Sequence, residues 1–400
     1  MSIRTSFREL LAFYQDHLTR QVMPFWTRHC IDREHGGINN VVADDGTLLS
    51  TDKVMWSQGR ALWTFSVLYN EYDHNPDWLR VADNIARFVM DHGRDEKGAW
   101  IFRLARDGSV VEPAKSIYVD GFCTYGLTEY ARASGSQRAL DLCLETFRRT
   151  SPLLRDHATL PTAPLPIPPG VQAHGPSMLF SLVYHELGKL TGDREIRDRG
   201  LELADIVMTQ HLKPERQVLL EFVRPGGAPA EGDVGKTFVP GHAIESMWFI
   251  ERIYRERGRQ EGVGLALDAI RWHLEKGWDA EYGGIFLARH TEGGAPAWLS
   301  PENKPWWCAT EALYACLRAH ELTGQPWCME WYWRVHDYAF RTYPDREHGD
   351  WHQNLDRRGR IMPPLYKNMA VKDPYHLQRA LIYAIHTLRN LAAREAGHDE

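Results

Sequence analysis

The chain has 400 residues, of which 43% are hydrophobic and 25% charged, and carries a formal net charge of -6. That balance describes a soluble globular protein and excludes the basic field that would attract nucleic acid or an acidic membrane surface. The opening residues carry charge at Arg4, Arg8, Glu9 and Asp16, which interrupts an apolar signal core, and no later stretch is long enough to span a bilayer, so the expected location is the cytoplasm.

Twelve segments show helical apolar spacing or helix-forming composition: 4–28, 57–71, 76–93, 115–134, 136–152, 174–190, 193–211, 241–258, 260–277, 306–323, 325–343 and 374–396. The ninth places Val263, Leu267, Ile270 and Leu274 on one face, whereas the eighth is apolar nearly all round through Met247, Trp248, Phe249, Ile250, Ile253 and Tyr254. Short turns (ASGS at 133–136, LTGDRE at 190–195, LTGQP at 322–326) join even helices to the odd ones that follow. Long loops join odd to even. These loops share a motif: DREHGGI from Asp32, DEKGAWIF from Asp95, PERQVLLEF from Pro214, DAEYGGIF from Asp279 and DREHGDW from Asp345. Copies recur at roughly 60 to 67 residues with one doubled interval, so a sixth copy is expected near Arg155 to Thr162.

Six hairpins of one buried and one amphipathic helix predict an all-α fold. The expected form is a single-domain α/α toroid over residues 1–400, six inner helices ringed by six outer ones, with short β-hairpin loops at one rim. An Asp followed by a glycine pair and apolar residues suits a tight turn opening such a hairpin, so His35 and His348 read as scaffold. The six cysteines, Cys30, Cys123, Cys143, Cys308, Cys316 and Cys328, lack metal-site spacing and read as buried thiols; neither a metal nor another cofactor is expected.

The starts of the even helices converge on one rim and are rich in chemistry: WSQGR with Arg60, KSIYVDGF with Tyr118, AHGPSM with His174, PGHAIE with His242 and Glu245, NKPWWCATE with Trp306 and Trp307, and KDPYH with His376. Asp373 suits an N-cap and Pro374 a first helical residue. Helix-start dipoles disfavour imidazolium, so both His242 and His376 are expected to be neutral, and Arg60 supplies a fixed charge for a developing oxyanion. Such parts suit proton transfer at carbon next to a carbonyl. Two bases would invert carbon 2 of a sugar, and one base shuttling between carbons 1 and 2 would interconvert aldose and ketose.

WSQGR, PGHAIE, KPWW before Glu311 and the late YHLQRAL together resemble the N-acylglucosamine 2-epimerase family, which includes cellobiose 2-epimerases and aldose-ketose isomerases, over essentially the whole chain. The resemblance implies a six-hairpin α/α barrel and metal-independent enediol chemistry. Acid/base roles fall to His242 and His376, and Arg60 contacts the oxyanion and substrate hydroxyls. It makes Glu245 the group orienting the histidine or the sugar, and Trp306, Trp307 and Trp351 aromatic sugar platforms. Tyr118, His174 and Glu311 are further substrate-binding candidates. The chain departs from the family's Gly-Cys-Phe-His run with Asp373-Pro374-Tyr375-His376. It also reads Pro176-Ser177-Met178 where cellobiose epimerases carry histidines.

The expected substrate is thus a free monosaccharide such as mannose, glucose or fructose, or an N-acylglucosamine/N-acylmannosamine. The partner expected is that small sugar, with a homodimer left open. Three rival readings remain: a toroid glycoside hydrolase using Asp120, Glu245 and Glu311, a metal site combining His242 and Glu245 with His174 or His376, and a sugar-binding protein without turnover.

Overall fold

Two chemistries alternate along the helices of the computed structural model, which describes residues 5–396. In chain order the helices are α1 (7–30), α2 (55–73), α3 (Pro76–His92), α4 (Ile117–Ser134), α5 (Gln137–Leu153), α6 (His174–Thr191), α7 (194–211), α8 (Pro240–Glu256), α9 (Gln260–Gly277), α10 (Trp306–Thr323), α11 (Pro326–Thr342) and α12 (His376–Ala396). Helices α1, α2 and α7 contain wider π-type turns. The bounds match the sequence reading within about three residues; the expected start of the first helix, Arg4, lies outside the described residues.

Even-numbered helices form the inner ring because they have no polar face to give to water. Every residue of α8 from Ala243 to Glu251 is buried, whereas α9 buries only the face bearing Val263, Leu267, Ile270 and Leu274. Inner helices pack in sequence from α2 through α4, α6, α8 and α10 to α12. Trp63 of α2 closes the ring, lying edge-on to Tyr375 and, on α12, Tyr383, with centroids 5.4 and 5.9 Å away. Each inner helix packs against the outer helix that follows it, and α12 packs against α1. Glycines at 135, 192 and 324 end α4, α6 and α10 at φ of 71°, 71° and 63°, the left-handed turn that reverses the chain. A continuous apolar core runs from Leu10 to Leu388.

The opposite rim carries the long loops. Five begin as the expected hairpin, closed by Ile31 with Ile38, Arg94 with Trp100, Leu212–Lys213 with Val218–Leu219, Trp278 with Ile285 and Pro344 with Trp351. The expected sixth copy is absent: residues 157–159 form a single 3₁₀ turn, and Thr162 pairs with Ser116 of the preceding loop instead. Short antiparallel pairs then tie each loop to the next. Lys53–Val54 joins Arg103–Leu104, Gln172–Ala173 joins Phe222–Val223, Thr237–Phe238 joins Arg289–His290, Lys304–Pro305 joins Asn354–Leu355, and Val42–Ala43 joins Tyr366–Asn368. With Ser116 and Thr162 the circuit of six is complete.

The acidic motif serves this circuit. The Asp32 carboxylate accepts from the backbone N–H groups of Glu34 and His35 and pairs with the fully buried Lys53 ammonium at 2.9 Å. Asp279 with Lys304 at 2.9 Å and Asp345 with Lys367 at 2.7 Å repeat the arrangement. Buried pairs of this kind fix register more than they add stability. His35 and His348 point outward and are exposed.

Candidate active site

The inner-helix starts bring two histidines to one aromatic wall. Trp307, at the start of α10, lies 5.1 Å from the His242 ring in a stacked arrangement and 5.7 Å from the His376 ring. Gly241 makes this approach possible, since a Cβ there would fall 2.4 Å from the Trp307 ring.

His376 opens α12 and is nearly buried. Its Nδ1–H donates to Glu311 Oε1 at 2.8 Å, which leaves Nε2 as the free basic atom. Glu311 also accepts from Trp248 Nε1 at 2.9 Å and from Arg379 at 2.7 Å, and Arg379 bonds Glu245 as well. Arg379 is 1% exposed, packed between Tyr375 and Trp248. Burial lowers the His376 pKa well below the usual imidazole value. Glu245 works against this, but Arg60, Arg379 and His242 reinforce it, so the ring is neutral.

His242 occupies the first turn of α8, and its Nδ1–H donates to Glu221 Oε2 at 3.1 Å. Burial again opposes protonation, yet Glu221 and then Glu245 outweigh it and raise the His242 pKa. The expected bias toward the neutral form is thus opposed at His242, where burial is outweighed by the Glu221 carboxylate and the pKa moves up. Glu221 itself, 3% exposed, was not singled out from sequence. A usable signal existed in the loop repeat. Asn39, Ile101, Leu220, Phe286 and His352 all donate a backbone N–H to the end of the preceding helix, which fixes the alignment. The next position then reads Asn40, Phe102, Glu221, Leu287 and Gln353, with a single acid among them.

Arg60 comes from α2, where the WSQGR stretch divides its labour. Gln58 bonds both backbone groups of Ile38 and so pins the first hairpin, and Gly59 lets α4 approach, where a Cβ would meet the Phe122 carbonyl at 2.5 Å. The Arg60 guanidinium lies 4.0 Å from the Phe122 ring centroid and 4.9 Å from those of Trp56 and Tyr375. It reaches Asp373 at 3.5 Å. Asp373 thus faces Arg60, and α12 starts at His376 rather than at Pro374.

Several other expected contacts fall elsewhere. Trp351 is fully buried, stacks on Tyr343 at 5.5 Å and donates to His17 at 2.8 Å, so it is core, not a sugar platform. Trp306 is 2% exposed and sits edge-on behind His376. Glu311 is 1% exposed and its oxygens are engaged as above, which makes it a support for His376 rather than a sugar contact. Glu245 binds Arg379, so it does not hydrogen-bond His242. His174 is fully buried behind Glu221, with Nε2 at 2.5 Å from Ser246 Oγ. Tyr118 stays half-buried at the wall beside Trp56. Trp298, on the loop before α10, was missed from sequence and lies edge-on to His242 at 6.0 Å.

Two groups at the site gather metal-ligand atoms within 4.8 Å: Glu245, Glu311 and His376, and His174, Glu221 and His242. In the first the Arg379 guanidinium already supplies the cation. In the second, Glu221 and His242 Nδ1 engage each other and His174 Nε2 engages Ser246, so two of the three groups already hold protein partners through the atoms that face them. The hydrolase carboxylates are similarly committed, with Asp120 paired to Arg149 and Glu245 and Glu311 to Arg379. No helix among the described residues is long and apolar enough to cross a membrane.

The sequence profile of the N-acylglucosamine 2-epimerase (GlcNAc 2-epimerase) family matches residues 36–380. The chain is 30% identical to the N-acylglucosamine 2-epimerase of Bos taurus, over 97% of this chain and 94% of that protein. It is 26% identical to the D-mannose isomerase of Pseudomonas cannabina pv. alisalensis, over 53% of this chain and 54% of that one. The solved cellobiose 2-epimerase of Spirochaeta thermophila shares the α/α toroid with a TM-score of 0.84 at 22% identity, covering 97% and 99% of the two chains. Profile, relatives and fold agree, and the chain belongs to the N-acylglucosamine 2-epimerase family.

Proposed function

We propose that this protein is a sugar isomerase acting at carbons 1 and 2 of a reducing aldose, as a 2-epimerase or an aldose-ketose isomerase. The observation that carries the reading is the pair of histidines on Trp307, each held through Nδ1 by a carboxylate and biased to opposite protonation states. In this mechanism the neutral Nε2 of His376 removes the proton from carbon 2. The electron pair moves to the carbonyl oxygen, where Arg60 stabilises the enediolate charge. The His242 imidazolium returns a proton to carbon 2 from the other face, giving the epimer. If His376 instead returns its own proton to carbon 1 while the proton on the carbon-2 hydroxyl passes to oxygen 1, the carbonyl forms at carbon 2 and the product is a ketose. Solvent resets the pair after epimerisation, when His376 holds the proton that His242 has lost.

The lead substrate is a free monosaccharide bearing a hydroxyl or an acylamino group at carbon 2. Trp307, Trp298, Trp56 and Tyr118 are partly exposed and supply aromatic faces for its ring. The test is incubation in D2O with mannose, glucose, N-acetylglucosamine, N-acetylmannosamine and cellobiose separately, followed by NMR of carbons 1 and 2. Deuterium at carbon 2 of an epimeric aldose is the expected sign of two-base epimerisation, and a ketose product that of isomerisation. Sugar binding without exchange or turnover across this panel would sink the reading.

A further inference from the structure

We propose that Glu221, backed by His174 and Ser246, is a positioning residue that holds His242 as the acid of the pair with Nε2 facing the sugar. This rests on the sugar-isomerase reading for its catalytic meaning, although the arrangement is a property of the resting protein.

The Glu221 backbone is fixed from both sides. Its N–H donates to the Thr237 carbonyl at 3.0 Å, and its carbonyl accepts from the His174 N–H at 2.9 Å. The side chain therefore enters the site from a bend anchored between two short strands, Val218–Leu219 and Phe222–Val223. One oxygen, Oε2, meets His242 Nδ1 at 3.1 Å and lies 3.9 Å from His174 Nδ1. A carboxylate only accepts, so the His242 proton facing it sits on Nδ1, and the Nε2 edge is left for substrate.

His174 closes the arrangement. Its ring is fully buried, and its Nε2 lies 2.5 Å from the hydroxyl of Ser246, one turn beyond His242 on α8. Nδ1 has no hydrogen-bond partner at ordinary distance. Burial, with His211, His242 and His273 nearby, keeps this ring neutral, so it carries one proton. When the serine O–H donates to Nε2, that proton sits on Nδ1 and points toward Glu221. Ser246, His174 and Glu221 thus lie in a row that starts from α8 and leads back to His242, with the His174–Glu221 step an electrostatic contact at 3.9 Å and not a hydrogen bond.

The charged and titratable groups facing His242 are Glu221 from its loop, Glu245 from α8, Arg60 from α2, His376 from α12 and His174 from α6. Among these Glu245 is paired with Arg379, whereas Glu221 forms no pair with an Arg or Lys among the described residues. The Glu221 charge therefore acts on His242 undiluted.

The test uses the full chain with 15N-labelled histidine and follows the His242 ring nitrogens against pH, assigned by loss of the signal in His242→Asn. Glu221→Gln keeps an acceptor but removes the charge. It is expected to weaken proton binding at His242 by about tenfold or more and to move the alkaline limb of kcat/KM down with it. Glu221→Asp should restore most of the shift, and Ser246→Ala should move it in the same direction by less. Unchanged His242 titration in a folded Glu221→Gln protein, or a proton on Nε2 of neutral His242, would overturn the proposal. If Glu221→Gln fails to fold, an Nε2 proton in wild type or no movement in Ser246→Ala overturns it equally. Absence of turnover on any sugar, with the nitrogen signals as expected, would remove the sugar-isomerase reading and leave the tautomer assignment standing.

Discussion

His242 and His376 have nearly the same nearest neighbour and opposite electrostatics. Each donates Nδ1–H to a buried carboxylate, at 3.1 and 2.8 Å. Yet one imidazole is pushed toward the charged form and the other far from it. The difference lies one step further out. Around His376 burial is the largest effect, and Arg60 together with Arg379, which pairs with both Glu311 and Glu245, offsets the carboxylates, so Glu311 orients without charging. Behind His242 stands a second histidine, itself neutral, and the Glu221 charge is spent on one partner. The comparison teaches that a carboxylate on Nδ1 does not by itself set a histidine's charge: burial and the cations around it decide whether that contact prevails.

The comparison can be broken most severely at the histidines. His376→Asn and His242→Asn should each lower turnover by about 10²- to 10⁴-fold, read as deuterium incorporation under steady-state conditions. Near-normal turnover in either variant would remove that residue from the acid/base pair.

Arg379→Met should make the two settings alike. Removing one partner of a buried ionic cluster costs roughly 3–5 kcal/mol, so thermal unfolding should move well down. In protein that remains folded, the His376 titration should rise toward that of His242, because two carboxylates would face it uncompensated. A variant as stable as wild type would contradict the buried pairing.

The pH profile sharpens the contrast without mutation. With His376 as base and His242 as acid, kcat/KM should fall at low pH as the depressed His376 becomes protonated. It should fall at high pH as His242, whose pKa is raised, loses its proton. Both limbs on the same side of the usual imidazole value would refute the split. Stability follows a different limb. Burial alone would raise the Asp345 carboxyl, but Lys367 and the backbone N–H groups of His348 and Glu347 hold it down at about 2. Its contribution is present above the ordinary carboxyl value and is lost as pH falls toward about 2.

The smallest effect belongs to the residue that looks most catalytic in the sequence. His35→Gln should leave turnover unchanged and stability within about 0.5 kcal/mol, since the ring is exposed. A large loss of activity would return the DREHG motif to the chemistry.

The helices were legible because inner and outer members differ in how much of their circumference is apolar, a property local to each segment. Arg60, His242 and His376 were legible because they sit at equivalent helix starts, and repetition converts separate weak signals into one pattern. Direction was not legible. The family resemblance made Trp351 a sugar platform, yet it occupies the hairpin-closing position held elsewhere by Ile38, Trp100, Leu219 and Ile285, all buried. The family resemblance made Glu245 a group orienting the histidine or the sugar, but Arg379 from α12 binds it across the axis. Glu221 escaped because its partner lies 21 residues away on another element. In each case the deciding neighbour comes from a different hairpin.

Ring closure has a consequence for assembly of the chain. In an open stack of repeats an end unit contributes one interface, but each hairpin of a closed circuit contributes two, so loss of any one opens both flanks. The histidines proposed as acid and base come from α8 and α12, and the cation between the carboxylates beside His376 also belongs to α12. A chain emerging from the ribosome can therefore form most of its packed helices while holding half a reaction centre. The other half arrives with α12, the helix that closes the ring, so ring closure and assembly of the proposed histidine pair are one event.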